Sequence, residues 1–242
     1  LLSYGPEVFC ESGALCGVNY MITETSINVG GLDVQTSTSW RLRESIGEIA
    51  TGESASTSYK LRSGYQPMLE SYISLSVSTD TVNMLPNIGG LTGGTATGTF
   101  SSTVITDNTA GYSLYVNAST SPALKSGANS FADYTPGTAG IPDFTWTIPA
   151  ATSEFGFSVE GSDITQKFKD DGSSVCATST NDTTDKCWYN FSTSNESVGL
   201  RYQANNPAGT QTTVKLQAQS GSSNFQNAGT YQAVITTTAV AN

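Results

Sequence analysis

The side chains in this sequence that could do chemistry are twenty carboxylates, two close pairs of cysteines and three tryptophans, and no histidine accompanies them. Without an imidazole the usual general base near neutral pH is missing, which removes Ser-His-Asp and Cys-His nucleophile systems and His-bearing zinc sites. Two carboxylic acids at a set separation could still hydrolyse a glycoside. Glu154 and Glu160 are one such pair, although among twenty acids some pair always looks suitable. Asp170 and Asp171 just before the stretch Cys176 to Cys187, with Asp182 and Asp185 within it, offer oxygen ligands for calcium. They lack the spaced Asp-x-Asp-x-Asp-Gly pattern, so a solvated loop is the better reading. No catalytic residue, metal or cofactor is expected, and the chain does not read as an enzyme.

Cys10 lies close to Cys16, and Cys176 to Cys187, with no Cys-x-x-Cys, which argues against metal knuckles and thioredoxin-like chemistry. Four cysteines allow three pairings. The two local ones, Cys10 with Cys16 and Cys176 with Cys187, are favoured and fit an oxidising compartment. The loop Gly89-Gly90-Leu91-Thr92-Gly93-Gly94 is not followed by Gly-Lys-Ser/Thr and reads as a plain connection between strands. Trp40, Trp146 and Trp188 could form a sugar-stacking platform, but filling of a core or an interface explains them better. Asn117, Asn181, Asn190 and Asn195 each match the glycosylation acceptor pattern. Lys215, in a strand-like stretch, could supply the amine of an isopeptide cross-link to an asparagine, and nothing marks the partner.

The elements that must position these residues are strands. Only 12% of the 242 residues are charged, glycines number 24, and runs of helix-forming residues are missing. From residue 72 onward alternating segments recur between Gly, Pro, Asn and Asp turns: "YISLSVS", "TFSSTVI", "GYSLYVNAS", "FTWTIPA", "EFGFSVEG", "CWYNFS", "VGLRYQA", "TVKLQAQS" and "TYQAVITTTAV". Their spacing predicts an all-β antiparallel sandwich or jelly roll over residues 71–242. One face each is expected to hold Tyr112, Leu114 and Val116; Phe155, Phe157 and Val159; Val198, Leu200 and Tyr202; and Val214, Leu216 and Ala218. The stretch "DITQKFKDD" is the one modest helix candidate. Ten basic against twenty acidic residues give a net charge of −10, which opposes nucleic acid and anionic lipid as partners. No run of 18 apolar residues occurs, so no membrane span is expected, and a start at Leu1-Leu2-Ser3 without Met fits removal of a leader peptide.

Residues 1–70 form an N-terminal leader of a different kind, with a disulfide loop and a doubled phrase. Ser37-Thr38-Ser39-Trp40-Arg41-Leu42-Arg43 recurs 19 residues later as Ser56-Thr57-Ser58-Tyr59-Lys60-Leu61-Arg62. In the first copy Trp40, Leu42, Glu44 and Ile46 share one strand face; in the second Tyr59, Leu61, Ser63 and Tyr65 do. The opposite faces carry Arg41, Arg43, Lys60 and Arg62, four of the ten basic residues, and suit contact with an acidic surface such as another copy of this chain.

The stretch "SINVGGLDVQTSTSWRLRESIGEIATGESASTSYKLRSGYQ" resembles the N-terminal segment that recurs in secreted, Ser/Thr-rich surface proteins of uncultivated candidate-phylum bacteria. Downstream, "VITDNTAGYSLYVNAS" and "GTYQAVITTTAV" are similar to WxL-type cell-surface β domains, without a Trp-x-Leu signature in that part and so without an implied peptidoglycan site. The plan of a strand-rich leader before a sandwich is similar to subunits of filaments built by donor-strand exchange, including TasA-like fibres and archaeal bundling pili. That likeness implies an extracellular, pilus-like homopolymer at the cell surface, in which Trp40, Leu42, Ile46, Tyr59, Leu61 and Tyr65 of one copy fill the sandwich of the next. The alternative is a monomeric adhesin or glycan-binding sandwich whose partners are cell-surface glycans.

Overall fold

The computed structural model describes residues 71–242 and, in the leader, the backbone of six short strands. The chain divides into two compact units, Leu1–Glu70 and Ser71–Asn242. In the first, β1 (Leu15–Gly17) pairs with β2 (Tyr20–Ile22), β3 (Gln35–Thr36) with β4 (Arg41–Leu42), and β5 (Gly52–Ala55) with β6 (Lys60–Ser63), all antiparallel. Each copy of the doubled phrase thus contributes the second strand of a local hairpin, with Leu42 opposite Gln35 and Leu61 opposite Ser54. Cys10, Trp40, Ile46, Tyr59 and Tyr65 lie outside the described residues, and Cys16, Leu42 and Leu61 are described in their backbone alone.

The second unit is all-β. Its strands are β7 (Ile73–Val77), β8 (Gly94–Thr106), β9 (Tyr112–Ala118), β10 (Lys125–Ser126), β11 (Asn129–Ser130), β12 (Ala132–Asp133), β13 (Ser153–Glu160), β14 (Tyr189–Asn190), β15 (Glu196–Arg201), β16 (Thr210–Ser220) and β17 (Ile235–Ala241). One sheet runs β12-β13-β16-β8-β7, with β14 on β13; the other runs β15-β9-β17; β10 and β11 form a separate hairpin. Pairing is antiparallel except between β12 and β13. The axis of the larger sheet is the ladder of β8 with β16, from Thr210 opposite Val104 to Ser220 opposite Gly94.

The alternation in these strands sets the core, because a period of two sends every second side chain inward. Phe100 and Val104 of β8, Phe155, Phe157 and Val159 of β13, and Val214, Leu216 and Ala218 of β16 meet Tyr112, Leu114 and Val116 of β9 and Val198 of β15. The rings of Phe155, Phe157, Phe168 and Phe191 pack together with centroids 4.5 to 5.6 Å apart. A polar network borders the same core, with Tyr112 and Asp163 buried and Arg201 partly exposed. The Tyr112 hydroxyl donates to Asp163 Oδ2 at 3.0 Å, and Arg201 Nη1 reaches both oxygens of Asp163 at 3.1 and 3.2 Å.

The structure departs from the alternation at four places. A bulge between Ser197 and Gly199 breaks the expected face of β15, so Val198 is buried while Tyr202 is 77% exposed. Strand β8 begins at Gly94, inside the glycine-rich stretch, because β16 offers it a partner all the way to Ser220. "FTWTIPA" is not a strand: Pro149 lies within it and Pro142 just before it, and Trp146 lies across the larger sheet. The helix candidate shrinks to a single 3-10 turn, Gln166–Phe168. Among the described residues no helix is long and apolar enough to cross a membrane.

Burial raises the Tyr112 phenol above its ordinary value, and the charge and hydrogen bond of Asp163 add to the rise. Tyr134 is raised the same way, by burial first and then by Asp143. The folded state therefore favours the protonated phenols, so their contribution is complete below about pH 10 and is lost as pH climbs beyond it. The expected outcome is a urea midpoint that falls between about pH 9 and about pH 11, with a shallower fall in Tyr112→Phe. A midpoint that stays level over that interval in the unsubstituted chain would contradict this account.

Candidate functional site

Strand β13 is buried on both faces. Phe155, Phe157 and Val159 face the interior, yet Glu154 and Ser158, which point away from it, are also buried. Two segments cover that outer face: the stretch from Tyr134 to Trp146 and the loop from Asp170 to Trp188. Gly156 is what lets them lie down on the sheet. A Cβ there would stand 2.6 Å from the Tyr189 carbonyl, 2.7 Å from Tyr134 Cβ and 3.1 Å from Trp146 Cζ3. A glycine inside a strand pattern marks this kind of close approach.

The cover is held by named contacts. Trp146 stacks on Tyr134 at 4.3 Å and meets Trp188 edge-on at 5.2 Å, while its Nε1 donates to Gln219 Oε1 at 2.6 Å. Asp143 ties the two segments together. Its carboxylate accepts from the Tyr134 hydroxyl at 2.8 Å and from the Gly137 amide, and its backbone pairs with that of Trp188. The disulfide Cys176–Cys187 closes the second segment, and both cysteines are buried. Cys10 lies outside the described residues, so its pairing with Cys16 is not addressed. In this loop Ala177, Asp185 and Cys187 adopt left-handed backbone, with φ of 65°, 60° and 59°, a conformation that costs non-glycine residues energy and persists where surroundings impose it.

The acidic group is absorbed by the same construction. Asp170, fully buried, accepts from the amides of Gly172 and Thr183 and from the Thr183 hydroxyl. Asp171 Oδ1 accepts from the amides of Ser174, Val175 and Ser173, which hold its carboxyl far below the usual range. Burial raises the Asp182 carboxyl, its bond from the Gly161 amide opposes the rise, and the charges of Glu160 and Asp170 add to it. These oxygens cap turns, and among the described residues no group of three or more His, Cys, Asp or Glu is placed to hold a metal. Glu154 and Glu160 sit six residues apart on one strand, a span of about 20 Å at ~3.3 Å per residue. Glycoside hydrolysis needs its two acids within about 5 to 9.5 Å. Glu154 is further occupied by the Thr135 amide, and Glu160 by Lys215 and the Asp185 amide.

Beside the cover the outer face of β16 and β8 is open, and a groove of about 630 Å³ runs along the boundary. Trp146, Trp188 and Asp185 line one side; Thr97 and Thr99 of β8 and Gln217 of β16 lie in its floor. The ladder sets the floor by placing Gln217 opposite Thr97 and Lys215 opposite Thr99. Lys215 Nζ is held between Asp185 Oδ1 at 2.7 Å and Glu160 Oε1 at 2.9 Å. Burial alone would lower its pKa; the hydrogen bonds to Asp185 and Glu160 outweigh that and raise it. Lys215 is thus kept as a cation, whereas an isopeptide bond needs a neutral amine. A second hollow of about 440 Å³, lined by Asp143, Phe144, Thr145, Thr147, Ser173 and Ser174, adjoins the groove at Thr145.

Of the residues singled out in the sequence, the fold brings Trp146 and Trp188 together and joins Cys176 to Cys187; Trp40 lies outside the described residues. Asn181 and Asn195 are exposed, whereas Asn117 and Asn190 are half-buried, with side-chain amides donating to the carbonyls of Thr193 and Phe191. The floor residues Thr97, Thr99 and Gln217 were not marked by sequence. The available signal was Gly156 between two phenylalanines. Comparison with family models, curated proteins and solved structures finds no match for this chain. What the fold defines is an all-β sandwich with one disulfide among the described residues.

Opening the Cys176 to Cys187 loop removes a short closed ring, a loss of about 3 kcal/mol in the chain-entropy account. The expected outcome for Cys176→Ser with Cys187→Ser is an unfolding free energy lowered by that order, seen as a lower urea midpoint, together with a changed tryptophan emission as Trp188 loosens. An unchanged spectrum and midpoint would contradict the role given to the loop.

Proposed function

We propose that the protein is a structural subunit of an extracellular, pilus-like filament at the cell surface, its copies joined head to tail by donor-strand complementation. The observation that carries this reading is the edge of β17: although β7 packs near it, it has no second hydrogen-bonded strand among the described residues. Its seven residues, Ile-Thr-Thr-Thr-Ala-Val-Ala, contain no charge, proline or glycine, and they pair with β9 on one side alone among the described residues. Val240 within it and Val234 just before it are 49% and 64% exposed. Strand β7, the last of the larger sheet, is likewise uncharged, with Val77 exposed. Edges of this kind are templates for pairing, and folded proteins otherwise protect them with charge, proline, bulges or cover. The outer edge of β15 is protected in that way: it carries Glu196, Arg201 and a bulge, and the segment Asp163 to Thr165 bonds along it.

The donor in this reading is the doubled phrase of the leader, with Trp40, Leu42, Ile46, Tyr59, Leu61 and Tyr65 as the apolar face. Because β4 and β6 each use one edge in a local hairpin, the donated unit is a hairpin that extends a sheet by its second edge, and not a single strand inserted between two others. Donor and acceptor are different surfaces, so the contact repeats as an open filament unless its rotation closes a ring. The disulfide suits the oxidising surroundings of a secreted protein.

The test is electron microscopy and light scattering of the purified full chain. Fibres or large assemblies are expected. Both Leu42→Asp with Leu61→Asp and, separately, Thr236→Lys with Val240→Lys should abolish them while near-ultraviolet circular dichroism stays unchanged. A 25.3 kDa particle from the unsubstituted chain, or fibres that survive both sets of changes, overturns the reading.

A further inference from the structure

We infer that the groove beside Trp146 binds a neutral, hydroxyl-rich glycan, a role independent of any assembly. Three features of the groove converge on that chemistry. The first is a fixed aromatic wall. Trp146 is half-buried, and its orientation is set by the stack on Tyr134, the edge of Trp188 and the bond to Gln219. An indole held this way loses little rotamer freedom on binding, and the part of the ring that lines the groove offers apolar surface to the C–H groups of a sugar ring.

The second feature is the floor. Thr97, Thr99 and Gln217 face the groove, and among the described residues their side-chain hydroxyls and amide have no hydrogen-bond partner in the protein. They hold unused donors and acceptors on adjacent strands about 4.8 Å apart, on the scale of one sugar ring. A purely apolar ligand would strip these groups of water without replacing it, which disfavours such a ligand.

The third is charge. The cation lining the groove, Lys215, is committed to Asp185 and Glu160, and the whole chain carries −10. An anionic ligand would meet no free positive group and an unfavourable field. The groove volume of about 630 Å³ falls within the ~300–1,000 Å³ of small-ligand sites.

The experiment titrates the full chain with cellohexaose, laminarihexaose and mannohexaose, with polygalacturonate as the anionic counterpart, by calorimetry and tryptophan emission. At least one neutral hexasaccharide is expected to bind and shift the emission. Gln217→Ala should weaken that binding about fivefold, the equivalent of losing one hydrogen bond of about 1 kcal/mol, and Thr97→Val should act in the same direction. Both floor positions lack internal bonds, so folding is retained where Trp146→Ala would disturb the cover. Val240→Lys, on β17 and outside the groove, should leave binding unchanged. No binding by any of the three, equal binding in Gln217→Ala and Thr97→Val, or preference for polygalacturonate overturns the inference.

Discussion

The ladder between β8 and β16 is the constraint on which the remainder of the sandwich unit depends. It joins segments more than a hundred residues apart, and strands on either side of it hang from that one pairing: β7 on β8, and β13 with β12 and β14 on β16. Its inner face supplies Phe100, Val104, Val214, Leu216 and Ala218 to the core. Its outer face supplies the open floor beside Trp146. Closing so long a loop costs chain entropy before any contact rewards it, so this pairing forms together with the burial of its inner face or not at all.

The two faces of the larger sheet show how one backbone serves two ends. Inward, the alternation is apolar and met by β9. Outward, β13 is roofed by Tyr134, Trp146 and Trp188, while β16 and β8 stay bare. The step in height between roofed and bare strands is the groove. Gly156 sets that step, since any side chain there would lift the roof off the sheet.

Much of this was readable in advance where burial and period two coincide. Tyr112, Leu114 and Val116, Phe155, Phe157 and Val159, and Val214, Leu216 and Ala218 all face the core as their spacing predicts. The reading failed where tertiary contacts override spacing. "FTWTIPA" alternates like a strand but serves as cover: Pro149 removes a ladder donor within it, and Trp146 is held by Tyr134, Trp188 and Gln219. The β15 bulge and the extension of β8 to Gly94 depend on partners that local sequence does not display. The groove was illegible for a related reason. Its lining comes from four distant stretches, and each threonine or glutamine in it is ordinary until the fold sets them side by side.

The sparse cations of the sandwich unit have a consequence for its durability. It has six: Lys125, Lys167, Lys169, Lys186, Arg201 and Lys215. Lys167 bonds Glu196 and lies 3.5 Å from the centroid of the Tyr189 ring, Lys186 sits over Phe144, Arg201 grips Asp163, and Lys215 is clasped by two carboxylates. Lys125 and Lys169 are half-buried. A digestive enzyme that cuts after lysine or arginine must first pull its target chain into its own cleft, and here four of the six such side chains are already engaged. A lysine or arginine in this unit is thus offered to such an enzyme less freely than the residue type alone implies, a consequence of the same economy of charge.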